Sequence, residues 1–550
     1  MALWAGGLSI AVVQFDLKAG QTVKSILPAD SLSDGERAQV AFHAFPDSTT
    51  VVSNRDSVRD TLFHFRIRRE SAEAASPGPP DDLEDWKIHN GYKRKRRAQY
   101  LWCYSFCRQR QDRSLPRGGS QTSVVVLAER PFMALLHQIS KITGSLYFDH
   151  GQQERTMEDV VSSIENWNSL RPKATLKINA ARQCLPVHVP ERRDVGFDEA
   201  IFAGDADPSF LDSHTRMIFS KTCLFSALNG VLRHLWHLYE IVLLGKPMVI
   251  FGGSPEVVSD TVAAVMDLIN PLPYHADYRP YFTVQDTEFA AASKCDKPGS
   301  PKIVGVTNSY FLKAYSRWPN ILVVGGSDAI GSGGGSGRAP SARSWSRWFA
   351  SFAKKDDAGL VGMVDSQTRD LWTKSKPRLK PSYALLETLE HVPGDANESE
   401  RSLLHSKNSR TLRRHFHALT RSFLQPFEDL FFRPQERENA QSQSGYAACL
   451  LDPPSLPPFD RAKFFAHIGA MASYPEPLAE VSDRHRLHSL YQDFVSSPNF
   501  ESWMTHKQAL AKFSLKTAWI EERLELAMDF AALEETEVRK CHRESKARLS

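Results

Sequence analysis

The residues best suited to chemistry in this chain fail on spacing or company. Gly331-Ser332-Gly333-Gly334-Gly335-Ser336-Gly337 offers backbone amides that could cradle a phosphate, but it lacks the Lys-Ser/Thr and the strand-to-helix context of a phosphate loop. Gly252-Gly253-Ser254 does stand between a predicted strand and a predicted helix, where an anion could sit on helix amides. With only two glycines and no partner motif, close chain packing is the favoured reading there. Cys103 and Cys107 share one face of a predicted strand, which suits a core better than a metal pair. His485 and His488 lack the thiols or carboxylates that would complete a four-ligand set, and Asp205 and Asp207 fall in a Gly/Asp/Pro loop that a hydrated turn explains. No Gly-x-Ser-x-Gly, His-Glu-x-x-His or kinase loop occurs. The expectation is a protein that makes and breaks no bonds of its own and uses no metal and no cofactor.

Two polar-aromatic loops remain: Tyr274-His275-Ala276-Asp277-Tyr278-Arg279-Pro280-Tyr281-Phe282-Thr283, and Thr307-Asn308-Ser309-Tyr310-Phe311-Leu312-Lys313, which follows the predicted strand Ile303–Val306. Loops at the carboxyl ends of parallel strands commonly bind ligands or partners, and Tyr, Arg and Asn are common at interfaces. Equally, Pro280-Tyr281-Phe282 could pack inward while Arg279 pairs with Asp277 or Asp286 to fix the turn. Both readings stand at this point.

The elements that must position these loops follow from pattern. The chain has 550 residues, 41% hydrophobic and 24% charged, which is globular material for roughly three to five domains. A formal charge of +4 does not predict a nucleic-acid binder. Seven cysteines suit a reducing cytosol better than a disulfide scaffold. The apolar run Leu235–Phe251 is interrupted by His237, Glu240 and Lys246, so the expectation is a soluble protein with peripheral membrane contact at most. Met1–Val13 lacks a leading basic residue and reads as a first strand, not a signal peptide.

Strands are predicted at Leu8–Phe15, Phe42–Phe45, Thr61–Arg68 (with one wet face), Tyr100–Arg108 and Ser123–Glu129, with a helix over Pro131–Ile142 packed on the resulting antiparallel sheet. Between Glu70 and Ala98 a Pro-, Gly- and charge-rich insertion reads as a flexible loop. Its basic run Lys93-Arg94-Lys95-Arg96-Arg97 reads either as a contact for anionic lipid or a nuclear address, or as a solvated loop beside its acidic neighbours. Alternating helices and strands follow: a helix at Glu154–Trp167, extended pieces at Ala174–Ile178 and Cys184–Val189, a helix over Leu224–Leu244 stopped by Gly245, and a buried strand at Pro247–Phe251. A helix capped by Ser254 with Pro255 at its first position runs to about Ile269, before the strand Ile303–Val306 and a short helix over Ser309–Trp318. This predicts a doubly wound, mostly parallel α/β layer. Gly325–Pro340 is Gly/Ser-rich and reads as a linker. Ser341–Ser550 lacks strong strands, with helices predicted at Thr411–Phe431, Phe459–Ala472 and Phe500–Leu533.

Read in order, certain strings resemble those of the DENN-domain proteins. They are Val12-Val13-Gln14-Phe15-Asp16-Leu17 with Gly20-Gln21, Phe45-Pro46-Asp47-Ser48, and Phe63-His64-Phe65-Arg66-Ile67-Arg68. Next come Leu235-Trp236, Leu243-Leu244-Gly245-Lys246-Pro247 and Asp277 to Thr283. Gly305-Val306-Thr307-Asn308 through Phe311, Trp318-Pro319, and Ser497-Pro498-Asn499-Phe500 with Trp503 complete the series. Each string is weak alone; their collinear succession over nearly the whole chain carries the resemblance.

The resemblance implies a tripartite α/β plus α fold. A longin-like upstream module would occupy 8–150 with the insertion 70–98, and a central doubly wound DENN α/β module 151–324. A linker at 325–340 would precede a helical downstream module over 341–550. It also implies guanine-nucleotide exchange on a Rab-family small GTPase by a cytoplasmic protein recruited peripherally to recycling endosomes. The motif positions then nominate Phe45, Asp47, Arg66, Asp277, Arg279, Tyr281, Asn308, Tyr310 and Phe311 as partner-binding or loop-shaping residues. The alternative is a non-catalytic Rab-binding scaffold or effector. A GTPase-activating partner, as in the folliculin branch, would need an Arg or Asn reaching the nucleotide, a role in which Arg279 could be cast. The insertion, the Gly/Ser stretch and Lys376-Pro377-Arg378-Leu379-Lys380-Pro381-Ser382-Tyr383 depart from the family pattern and bear on partner choice and regulation.

Overall fold

A computed structural model describes residues 8–16, 20–47, 58–69, 100–111, 119–129, 133–149, 153–165, 174–180, 183–189, 216–217, 224–292, 301–325, 369–432, 456 and 458–549. The insertion with its basic run, the Asp205/Asp207 loop and the linker after Gly325 lie outside these residues. The chain divides into two compact units, residues 1–420 with 479–499, and residues 421–478 with 500–550.

In the first unit, β1 (Ser9–Asp16), β2 (Gly20–Leu27), β3 (Val58–Arg68), β4 (Tyr100–Gln111) and β5 (Gly119–Ala128) form an antiparallel sheet in the order β2-β1-β5-β4-β3. Alternation sorts its side chains. Ile10, Val12, Tyr104, Val124 and Val126 pack with Leu136 and Ile139 of a helix over Met133–Asp149 and with Met157 and Val160 of a helix over Gln153–Glu165. Ala11, Val13, Phe63, Phe65, Cys103, Cys107 and Val125 form a second cluster with Val40 and Ala41 of α1 (Asp34–His43). Burying each large apolar side chain contributes about 1.5–3 kcal/mol.

Two expectations change here. Phe42–Phe45 is not a strand: Ser33 caps α1 in a reciprocal box with Glu36, and the helix runs through Phe42 to His43. Nor does Thr61–Arg68 have a wet face, since His64 and Arg66 are buried as well. β3 is an edge strand, and its edge is covered: the His64 amide donates to Ser259 Oγ in the helix α2 (Pro255–Asp267), and Arg66 is taken up by Asp277 and the Tyr278 carbonyl.

The second layer holds β9 (Met248–Gly252), β10 (Tyr278–Arg279), β11 (Ile303–Val306), β12 (Asn320–Val324) and β13 (Asp370–Thr373) in the order β10-β11-β9-β12-β13, parallel except for β13. Between the two sheets in sequence, β6 (Ala174–Ala180), β7 (Gln183–Val189) and β8 (Arg216–Met217) make a small sheet of their own. β12 and β13 are strands the sequence reading does not anticipate; four or five residues carry too little periodicity. Ser254 caps α2 through the Val257 amide with Pro255 in the first turn, as expected. Gly252 is a close-approach residue: a Cβ there would meet Val258 Cγ1 at 2.8 Å and the Val324 carbonyl oxygen at 3.0 Å. Packing, not an anion, explains that glycine.

Leu224–Leu244 is not one helix. It divides into Leu224–Leu228, a 3-10 stretch Asn229–His234 with Val231 at φ −130°, and α3 (Leu235–Leu243). Asn229 and Gly230 are weak helix formers, and they sit at the break. At the end of α3, Gly245 has φ +61°, its amide donates to the Val242 carbonyl, and Lys246 donates back to Ile241. This double closure requires a left-handed residue. Gly245→Ala is expected to cost about 1–2 kcal/mol, read as a lower midpoint in chemical denaturation with unchanged slope.

In the second unit, residues 421–431 of the helix Glu398–Phe431 bring Phe427 into a stack on Phe464, ring centroids 3.9 Å apart, beside Phe459, Phe500 and Trp503. The helix Pro498–Leu549 is buried around Trp503 and Met504, whereas Ile520, Leu524 and Met528 further along it are exposed. None of the described helices is long and apolar enough to cross a membrane.

Candidate functional site

The nominated residues gather in two groups within the first unit. The first group is a buried charge cluster. Arg66 and Arg68, two apart on β3, point the same way, and Asp277 stands immediately before β10. Asp277 accepts from Arg66 at 2.7 Å and Arg68 at 2.8 Å, and lies 3.3 Å from Arg279. Arg279, 2% exposed, also pairs with Glu288, which in turn takes Arg68 at 2.9 Å. Tyr100 faces Arg68 across the β3–β4 register, and the Arg66 guanidinium lies 3.9 Å from its ring centre and 3.7 Å from that of Tyr278. Burial would lift the Asp277 carboxyl, but Arg279 and Arg66 outweigh it and hold it at about 2. Nearby, His43 Nε2 lies 3.0 Å from Asp286.

The second group forms around Asp47, where the chain leaves α1 and meets the carboxyl end of β11. The Asp47 amide donates to the Tyr281 hydroxyl at 2.5 Å, and that hydroxyl lies 3.3 Å from the Phe45 carbonyl. Thr307 Oγ1 donates to the Asp47 carbonyl at 3.3 Å, and Asn308 Nδ2 lies 3.5 Å from both Asp47 carboxylate oxygens. Asn308 Oδ1 accepts the Tyr310 amide at 3.0 Å, a local turn that fixes the side chain between the two segments. Burial lifts the Asp47 carboxyl above its ordinary value against the opposing Asn308 amide. Tyr310 is 47% exposed and stacks on Phe289, whereas Phe311 is fully buried among Phe282, Phe289 and Tyr315.

Of the nominated set, Phe45, Arg66, Arg279, Tyr281 and Phe311 are therefore interior, Asp277 is held inside the charge cluster, and Asp47, Asn308 and Tyr310 reach the surface. The inward reading of Pro280-Tyr281-Phe282 is the observed one, with Glu288 joining Asp277 as the partner of Arg279 while Asp286 pairs with His43. An Arg279 bound on two sides and 2% exposed is not placed to reach a nucleotide. Sequence reasoning missed Arg68, Tyr100 and Glu288. Only Arg68 left a local signal, its same-face spacing from Arg66; Tyr100 lies beyond the long insertion and Glu288 in a loop without pattern. Among the described residues no group of three His, Cys, Asp or Glu side chains could hold a metal. The arrangement is a charge-paired, largely buried base carrying a small polar and aromatic surface.

Curated proteins are similar to this chain along most of its length. Protein DENND6A of Gallus gallus is 28% identical over 533 residues, covering 96% of this chain and 84% of the relative. Protein DENND6B of Homo sapiens is 27% identical over 508 residues, covering 92% and 79%. The chain is a homologue of the DENND6 proteins. The likeness extends to the protein DENND6 homolog of Dictyostelium discoideum, 26% identical over 564 residues, covering 92% of this chain and 71% of the relative. No family model matches the sequence. An amino-terminal antiparallel sheet, a mixed α/β layer and a helical carboxyl-terminal region are compatible with the DENN architecture of DENND6.

Proposed function

We propose that this chain promotes GDP release from a Rab-family small GTPase in endosomal membrane trafficking. The observation that carries this reading is the homology to DENND6 proteins along more than nine tenths of the sequence. In this reading the modules run over 8–150, 151–324 and 341–550. Phe45, Arg66, Asp277, Arg279, Tyr281 and Phe311 shape the loops, and Asp47, Asn308 and Tyr310 supply contact. The protein works in the cytoplasm and is recruited peripherally to recycling endosomes.

Exchange needs no base, nucleophile or metal from the factor. It needs differential binding: the nucleotide-free GTPase must be held more tightly than the loaded one, and by linkage nucleotide and magnesium then leave faster. Entering GTP reverses the preference and expels the factor. A stiff support favours this, because contacts that do not have to be ordered on binding lose less free energy.

Tyr310 gives the sharpest local test, being exposed and held by Asn308 and Phe289 rather than by the core. Tyr310→Ala is expected to lower sub-saturating exchange on the responsive Rab by roughly tenfold or more, the scale of a single aromatic anchor, with thermal stability unchanged. Equal exchange rates for variant and wild type would remove Tyr310 from the contact. Retained Rab binding without exchange by the wild type would favour a scaffold or effector.

A further inference from the structure

A cavity of about 540 Å³ beside α3 shares no residue with the surface just described. Three separate stretches of the first unit bring cations to it: Lys246 after α3, Lys376 and Arg378 after β13, and Arg486 near the start of the helix Arg484–Val495. Their counter-charges are incomplete. One Asp493 oxygen serves both Arg378, at 2.5 Å, and Lys246, at 3.7 Å, and Arg486 pairs with the partly exposed Asp483. Among the described residues Lys376 has no ion pair, and Arg378 Nη1 is buried with no hydrogen-bond partner. The lining carboxylate, Glu240, has Oε1 turned to the Arg378 and Leu379 amides, both at 2.8 Å. His237 meets Ser375 Oγ at 3.1 Å. Ile241, Leu244 and Pro377 complete an apolar wall.

We propose that this cavity binds an organic ligand carrying two or more phosphate groups, with Lys376, Arg378 and Arg486 on the phosphates and the ring or backbone of the ligand against Ile241, Leu244 and Pro377. The volume exceeds what a single inorganic phosphate fills. An orphaned guanidinium nitrogen beside further cations suits the forked recognition of phosphate oxygens, and a multiply charged ligand repays bringing these cations together. Such phosphates come from a soluble phosphorylated metabolite or from a lipid headgroup, and the cavity chemistry is the same for both.

The test titrates the full-length chain with inositol trisphosphate by calorimetry, using inositol as the uncharged control, and floats the chain with phosphatidylcholine vesicles doped with phosphatidylinositol bisphosphate. Lys376 and Arg486 are exposed, so the double variant Lys376→Glu, Arg486→Glu is expected to keep the unliganded melting temperature. The single variant Lys376→Gln is the milder check should the double variant fold poorly. The expected result is saturable trisphosphate binding, none with inositol, and affinity about tenfold or more weaker in the double variant. Flotation that is lost in the double variant identifies a lipid source; trisphosphate binding without flotation identifies a soluble one. Absence of trisphosphate binding by the folded wild type, or equal binding by wild type and both variants, overturns the proposal.

Discussion

Asp277→Ala is expected to destabilise the first unit by about 3–5 kcal/mol, the cost of stripping the partner from a buried charge. Counting charges decides which member of the cluster matters most. Arg66, Arg68 and Arg279 face Asp277 and Glu288, so removing Asp277 leaves three guanidiniums on one carboxylate. Removing Arg279 leaves two against two, and the smaller loss expected, about 2–3 kcal/mol, comes largely from the vacated volume. The order of the two variants in a denaturant titration therefore separates electrostatic from packing roles. The pH dependence has a definite sign. The Asp277 carboxyl titrates at about 2, below its ordinary 3.8, so its stabilisation is complete above that ordinary value and fades as pH falls toward 2. Wild type and Asp277→Ala should thus converge in stability on acidification, whereas a constant gap down to the acid limit would contradict the ion-cluster account.

The second large effect is expected at Asn499. Its side chain is fully buried, Nδ2 donates to the carbonyls of Val242 at 2.9 Å and Leu243 at 3.0 Å, and Oδ1 accepts the His275 amide at 2.9 Å. One side chain thus closes the end of α3 and pins the start of the loop that leads to Asp277. Asn499→Ala strips these bonds from buried backbone groups, at about 1–3 kcal/mol for each group left unsatisfied, so a loss of roughly 2–5 kcal/mol is expected. Asn499→Asp is a stricter probe. Its carboxylate can accept from His275 but faces two carbonyls it cannot satisfy, so it should be at least as damaging near neutral pH and partly relieved in acid. An Asn499→Asp protein as stable as wild type would show that the amide donors are not what hold this corner.

Where a signal is local, the sequence already contains the structure. Ser254-Pro255 opens a helix because a cap and a first-turn proline need only each other's neighbourhood, and Gly245 stops α3 because its left-handed turn is closed by bonds between residues three and five apart. Short apolar runs with β-branched or aromatic members likewise mark β1, β4 and β5. What the pattern hides is coverage from afar. β3 looks half-wet because the groups that bury His64 and Arg66 come from Ser259 and Asp277, some two hundred residues on. Phe42–Phe45 looks extended because a four-residue window misses the capping box that starts α1 upstream. At the candidate site, two readings of Arg279 remain open from sequence; Glu288, nine residues on in a loop without pattern, and the distant Arg68 complete the charge cluster. Asp47 and Asn308 meet across 261 residues, a pairing no spacing rule contains.

The most direct measurement is release of fluorescent GDP from a complete panel of purified Rab GTPases, with and without the full chain, at low and physiological salt. Dose-dependent acceleration is expected on one or two members, surviving physiological salt and reduced by Tyr310→Ala. Failure of every member to respond to the folded protein would contradict exchange activity; capture of a Rab under the same conditions would leave the scaffold reading in its place.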